Sequence, residues 1–148
     1  HYDNAVLYND HVVYELIDML KTAKIENSSL VYFSDHGEEV YDVGDHQFQG
    51  RNEATPTLGM YAIPFFFWVG DNEKLKSKFN KPSMFIRQYN NSDFIYSYTD
   101  FLGIKYDKFL SHESLLSHDF LQDSIIVGDP YSKKLEKLDG TDKTFNRH

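Results

Sequence analysis

Apolar and polar positions follow one another along the chain in blocks that predict a helix, a strand, a polar loop and a second strand. Apolar residues at helical spacing over residues 3–24 indicate an amphipathic helix, with Asp3 as its cap. Residues 30–33 are β-branched or aromatic, which is typical of a buried strand. Residues 61–69 predict the next strand, and Pro64 within it favours a bulge or an edge position.

The second half of the chain predicts shorter elements. We expect a helix over residues 72–79 capped by Asp71, and an amphipathic helix over residues 92–102 that ends at Gly103. A helical piece over 111–121 and a strand over 124–127 follow, and residues 132–148 are expected to form a frayed tail. The alternation of helices and strands predicts an α/β fold with helices packed on the faces of a sheet.

The end of the first predicted strand carries the candidate chemistry. Asp35 and His36 follow the strand directly, and Gly37 lets the backbone turn beside them. Ligands bind beyond the carboxyl ends of strands in open α/β sheets, so these two side chains are candidate metal ligands. A catalytic zinc site needs about three protein ligands, so the pair cannot complete one. The alternative is that Asp35 caps a helix and His36 is solvated.

Charge and cysteine content narrow the function further. The 148 residues carry a formal net charge of -8, which argues against nucleic acid as a partner. The chain has no cysteine, so disulfides and thiolate metal sites are excluded. It opens on His1 without a signal peptide, and we expect it to be part of a longer protein.

The motif Asp35-His36-Gly37-Glu38, preceded by an apolar strand and Ser34, resembles the metal-binding signature of the alkaline phosphatase/sulfatase superfamily. Residues 2–10, 35–42, 49–53 and 63–65 extend the resemblance to bacterial phosphoethanolamine transferases. The similarity is greatest to the branch that modifies lipopolysaccharide core sugars, and it runs from Tyr2 to the region of Gly128.

The resemblance implies an α/β/α sandwich in which helices pack on a mostly parallel sheet, with residues 1–148 as the C-terminal portion of the catalytic domain. It also implies transfer of phosphoethanolamine from phosphatidylethanolamine to a lipopolysaccharide core or lipid A acceptor. The family's domain faces the periplasm and is anchored in the bacterial inner membrane by N-terminal helices. Those helices, the nucleophilic threonine and a glutamate ligand belong to a part absent here, so this fragment alone should be inactive.

The resemblance also assigns site residues. Asp35 and His36 would ligate zinc or a related divalent ion, and His46 would contact the substrate phosphate or a second metal. Arg51 is a candidate for neutralising a substrate phosphate, and the alternative is a solvated surface arginine. Glu38 and Glu39 are candidates for orienting His36, although a helix start explains them equally well.

Two other functions remain open from the sequence. A sulfatase or phosphatase of the same superfamily would use water as the acceptor. A non-catalytic binding module would keep the fold without the chemistry, and its zinc binding would not depend on Asp35 and His36.

Overall fold

The computed structural model describes residues 1–41, 48–122, 124–129, 131 and 134–138. The chain divides into two compact units: His1–Tyr32 with Phe65–Asn80, and Phe33–Pro64 with Lys81–His148. In chain order the helices and strands are α1 (Tyr2–Thr22), β1 (Ser29–Phe33), β2 (Glu39–Val40), β3 (Gln49–Gly50), β4 (Phe65–Val69), α2 (Glu73–Lys76), α3 (Phe94–Leu102), β5 (Ile125–Asp129) and β6 (Lys134–Leu138). The predicted α/β class is confirmed.

The strands pair in twos. β1 pairs with β4, the two apolar strands that the hydrophobic pattern predicted. β2 and β3 form a short antiparallel ladder in which Glu39 lies opposite Gly50. β5 and β6 are antiparallel over five residue pairs, from Ile125 opposite Leu138 to Asp129 opposite Lys134.

The first unit packs aromatic side chains around β1 and β4. The rings of Tyr32 and Phe66 lie 5.3 Å apart, and Phe67 lies 5.2 Å from Phe79. Asn9 of α1 donates to the Tyr32 hydroxyl at 2.5 Å, which ties the helix to β1. These contacts join distant parts of the sequence, so they show that α1 packs against the strands β1 and β4.

The second unit is built around α3, whose residues Ser97 and Phe101 are fully buried. The Ser97 hydroxyl accepts a hydrogen bond from the backbone N–H of Leu115, which holds the following loop against the helix. Gly103 ends α3 in the left-handed conformation with a φ of 73°, as predicted, because glycine adopts that conformation without a Cβ clash.

Several boundaries differ from the predictions. The second strand begins at Phe65 and not at Tyr61, since Pro64 cannot donate to a strand ladder. The cap of α2 is Asn72, whose side chain accepts from the Leu75 N–H at 3.0 Å, and not Asp71. The α-helical part there is shorter than predicted, and a 3₁₀ turn, Ser77–Phe79, follows it.

Residues 111–121 and the tail also differ. Only Ser111–Glu113 is helical, as a 3₁₀ turn, because the Ser114 and Ser117 hydroxyls accept backbone N–H groups that a helix would use. The tail expected to be frayed from Ser132 instead forms β6 at Lys134–Leu138, because pairing with β5 satisfies its backbone groups. Residues 139–148 lie outside the described part of the chain.

Candidate metal and phosphate site

Asp35 lies two residues beyond the end of β1, and local hydrogen bonds orient its carboxylate. Its Oδ1 accepts from the backbone N–H of His36 at 3.0 Å, and the Ser34 hydroxyl beside it donates to the His36 carbonyl oxygen at 2.7 Å. Its Oδ2 lies 3.8 Å from Nε2 of His36. The side chain is 88% exposed, so the carboxylate is accessible to a ligand. One carboxylate oxygen is therefore engaged by the protein, and the other faces the imidazole.

The imidazole of His36 is oriented by its own backbone neighbour. Nδ1 lies 2.8 Å from the Gly37 carbonyl oxygen, which can only accept, so Nδ1 is the donor and Nε2 is the nitrogen left to bind a ligand. This arrangement is the usual one for histidine ligands, whose second nitrogen donates to a carbonyl or carboxylate. Glu38 and Glu39, the candidates for orienting His36, do not make this contact.

The two ligand atoms fit one divalent ion. Zinc ligands at about 2.0 Å in tetrahedral geometry lie about 3.3 Å from each other. The 3.8 Å between Asp35 Oδ2 and His36 Nε2 is close to that spacing. Carboxylate oxygen and imidazole nitrogen are ligands that zinc accepts. No group of three histidine or acidic residues that could hold a metal ion occurs among the described residues.

Gly37 is required here by the close passage of another backbone segment. A Cβ added to Gly37 would lie 2.1 Å from the Gly59 carbonyl oxygen and 2.8 Å from that of Ala62. The Gly37 N–H donates to the Met60 carbonyl at 3.1 Å. Backbone contact, with no space for a side chain, therefore fixes the turn that follows the two candidate ligands.

A buried hydrogen bond between Glu39 and Thr57 holds the segment that packs against Gly37. Glu39 is fully buried, and its Oε2 accepts from the Thr57 hydroxyl at 2.7 Å. Because Thr57 immediately precedes the 3₁₀ turn Leu58–Met60, this bond holds that turn beside the ligand segment. The sequence left two roles open for Glu39, and in the structure its carboxylate accepts from the threonine hydroxyl.

Arg51 lies at the same cavity as Asp35 and His36, although 15 residues separate it from His36 in sequence. The cavity has a volume of about 240 Å³, and Met60, Tyr61 and Asn91 also line it. The guanidinium lies 2.9 Å from the Glu53 carboxylate and 5.1 Å from the centre of the Tyr61 ring. The Arg51 side chain is 32% exposed. A cation thus faces the cavity that holds the two candidate ligands.

Tyr89 and Asn91 line the cavity as well and were not among the predicted site residues. Asn91 donates from its side-chain amide to the Ser34 carbonyl at 3.2 Å, which joins the start of α3 to the ligand segment. Burial raises the pKa of the Tyr89 hydroxyl to about 12, so the phenol is neutral at physiological pH. The signal in the sequence was the polar run 88–93 before an amphipathic helix, which is also an ordinary helix-start pattern.

His46 falls at a position outside the described residues, so its predicted contact with the substrate phosphate or a second metal stays a prediction. The ligand roles of Asp35 and His36, and the phosphate contact of Arg51, also stay predictions. The structure brings these three residues to one cavity.

The family comparison agrees with the signature at residues 35–38. The Sulfatase family model matches residues 1–104, and the chain belongs to this family.

Three relatives show where in larger proteins this chain has its counterpart. The phosphoethanolamine transferase EptC of Escherichia coli strain K12 is 42% identical over 132 residues, which cover 89% of this chain and 23% of EptC. The phosphoethanolamine transferase CptA of Salmonella typhimurium is 41% identical over 132 residues, which cover 89% of this chain and 23% of CptA. The crystal structure of the C-terminal periplasmic domain of EcEptC from Escherichia coli, in complex with Zn, is 40% identical, with a TM-score of 0.83.

The chain covers only part of these relatives. It spans 23% of the length of EptC, and the match to the EcEptC domain covers 99% of this chain and 42% of that one. Within the ranges that the structure describes, no helix has the length and apolar character needed to cross a bilayer.

Proposed function

We propose that this chain is the metal-binding portion of a phosphoethanolamine transferase that works in the bacterial periplasm. Its donor is phosphatidylethanolamine, and its acceptor is a lipopolysaccharide core sugar or lipid A. Anchoring in the inner membrane is assigned to helices outside this chain. The observation that carries the proposal is the 3.8 Å spacing between Asp35 Oδ2 and His36 Nε2, with His36 Nδ1 hydrogen-bonded to the Gly37 carbonyl oxygen. This pair occurs in a chain that is 42% identical to a phosphoethanolamine transferase.

Asp35 and His36 are the residues of this chain that would hold zinc. When bound, the zinc supplies positive charge beside the reacting oxygens, which lowers the barrier to phosphoryl-type transfer. The turn behind the pair keeps the two ligands in place, since Gly37 contacts the Gly59–Ala62 backbone directly. The nucleophile is assigned to a threonine outside this chain, so the fragment alone is inactive.

Arg51 is the residue of this chain that would bind the transferred phosphate. Arginine binds phosphate oxygens through paired N–H groups, and Arg51 lies at the cavity of the two metal ligands. A cation beside the metal offsets the negative charge of the donor phosphate. His46 is assigned to the same phosphate on the strength of the family resemblance.

The test uses the full-length protein with His36→Ala, and it measures bound zinc and transfer of phosphoethanolamine to lipopolysaccharide by mass spectrometry. We expect loss of zinc and a fall in turnover of at least about a thousandfold, because the metal contributes several kcal/mol to the barrier. Release of free phosphoethanolamine without transfer to the glycolipid would favour a hydrolase.

The matched control is His11→Ala. His11 lies in α1, where it faces Glu15 at 4.0 Å and is exposed, so its loss should leave zinc content and turnover unchanged. Zinc binding that persists in His36→Ala would contradict the ligand assignment. A wild-type protein that neither binds zinc nor transfers phosphoethanolamine would contradict the proposed function as a whole.

A further inference from the structure

We propose that Glu53 and Tyr61 are positioning residues that hold Arg51 with one edge of its guanidinium directed to an anionic phosphate group. The inference rests on the proposed function, because it concerns the same cavity, and it assigns two residues whose roles the metal site does not explain. Glu53 binds one edge of the guanidinium, and the Tyr61 ring holds the orientation of the guanidinium plane.

Glu53 occupies one side of the guanidinium. Its Oε1 accepts from Arg51 Nε at 3.1 Å and lies 2.9 Å from Nη2. A guanidinium has five N–H donors in a rigid plane, and the Nε–Nη2 edge uses two of them. No described residue accepts a hydrogen bond from Nη1 in the structure. We assign the edge formed by Nη1 and Nη2, at the end of the side chain, to a second, bidentate acceptor.

Tyr61 supports the face of the guanidinium. The Arg51 Cζ atom lies 5.1 Å from the centre of the Tyr61 ring, within the range of a cation–π contact. The Tyr61 hydroxyl is buried and has no hydrogen-bond partner among the described residues, so it does not anchor the ring. The contribution of Tyr61 to Arg51 therefore comes from the ring, and phenylalanine would replace it.

The backbone next to Tyr61 links the Tyr61 ring to the segment of the proposed metal ligands, Asp35 and His36. Met60, the preceding residue, accepts a hydrogen bond from the Gly37 N–H, and Met60 is almost completely buried. The Tyr61 N–H donates to the Leu58 carbonyl at 3.0 Å, which fixes the turn. The segment Met60–Tyr61 thus contacts Gly37 through the Met60 backbone and contacts Arg51 through the Tyr61 ring. This connection joins the Arg51–Tyr61 contact to the segment that carries Asp35 and His36.

The experiment compares Tyr61→Leu with Tyr61→Phe in the full-length, zinc-loaded protein. Tyr61→Leu removes the ring, and we expect the KM for phosphatidylethanolamine to rise about three- to fivefold with kcat within a factor of about two. Tyr61→Phe keeps the ring and should restore the wild-type KM. Zinc content should be the same in all three proteins, because none of the changes touches Asp35 or His36.

A double-mutant comparison tests whether Tyr61 acts through Arg51. In an Arg51→Ala background, Tyr61→Leu should cause no further rise in KM, since the residue it positions is absent. Equal effects of Tyr61→Leu in both backgrounds would overturn the proposal, and so would equal effects of the phenylalanine and leucine variants. If Tyr61→Leu does not fold, Glu53→Gln, which weakens the same restraint from the exposed side, takes its place in the comparison.

Failure of the proposed function gives a different result. If the wild-type protein transfers no phosphoethanolamine, the comparison is made by titrating inorganic phosphate and measuring its Kd. Weaker phosphate binding in Tyr61→Leu but not in Tyr61→Phe then supports the positioning roles without the transferase. Equal phosphate Kd values in the two variants and the wild type overturn them.

Discussion

The candidate site has a ligand end, Asp35 and His36, and an arginine end, Arg51, and the two ends are held in different ways. Asp35 and His36 lie beside a turn fixed by backbone contact, in which Gly37 has no space for a side chain against Gly59. The Arg51 guanidinium, at the same cavity, contacts two side chains of the described residues, through a partly exposed ion pair with Glu53 and a contact with the Tyr61 ring. Backbone packing thus holds the ligand end, whereas side-chain contacts hold the arginine end.

This difference matches the roles proposed for the two ends. Metal ligands must stay within a few tenths of an ångström of their positions, and backbone packing supplies that rigidity. A phosphate group arrives and leaves, and an arginine on a partly exposed side chain tolerates small adjustments at little cost. We therefore expect changes at the ligand end to alter stability, and changes at the arginine end to alter substrate binding.

The largest expected effect on stability is that of Gly37→Ala. The added Cβ would meet the Gly59 carbonyl oxygen at 2.1 Å, so the backbone has to move, at a cost of about 3 kcal/mol. The measurement is the free energy of unfolding of the full-length protein by chemical denaturation. The control is Gly103→Ala, where nothing lies within 4 Å and only the positive φ of 73° costs about 1 kcal/mol. Equal losses in the two variants would contradict the close-packing argument.

A smaller loss is expected for Thr57→Val, which keeps the shape of the side chain but removes the hydroxyl that Glu39 accepts from. The buried carboxylate then loses one hydrogen bond, at a cost of about 2 kcal/mol. The same unfolding measurement applies, with Thr55→Val as the matched exposed control, for which we expect a change below about 0.5 kcal/mol. A Thr57→Val protein as stable as the wild type would show that the turn does not depend on this bond.

The smallest effect on stability is expected for Arg51→Ala, because a partly exposed ion pair and one cation–π contact contribute about 1 kcal/mol or less. The KM for phosphatidylethanolamine should nevertheless rise about tenfold, through loss of a charged hydrogen bond to the phosphate. Parallel measurement of unfolding and steady-state kinetics checks both parts. A large loss of stability with an unchanged KM would reverse the contrast between the two ends.

Local patterns in the sequence predicted the elements that carry the site. The strand β1 and the end of α3 at Gly103 were each expected within a residue or two. These features depend on side-chain periodicity and on glycine, which act within a few residues. The strand β6 was not expected, because a charged segment becomes a strand here only through its pairing with β5.

The sequence by itself determined the class of fold and the position of Asp35 and His36 just after β1, since a short apolar strand followed by a turn at glycine needs only neighbouring residues to form. The tertiary structure alone decided that Arg51 and Tyr61 reach the cavity of Asp35 and His36. It also gave the reason for Gly37, which is the passage of residues 59–62 against it. Contacts between residues 10 to 25 positions apart depend on how the loops pack, and no local pattern records that packing.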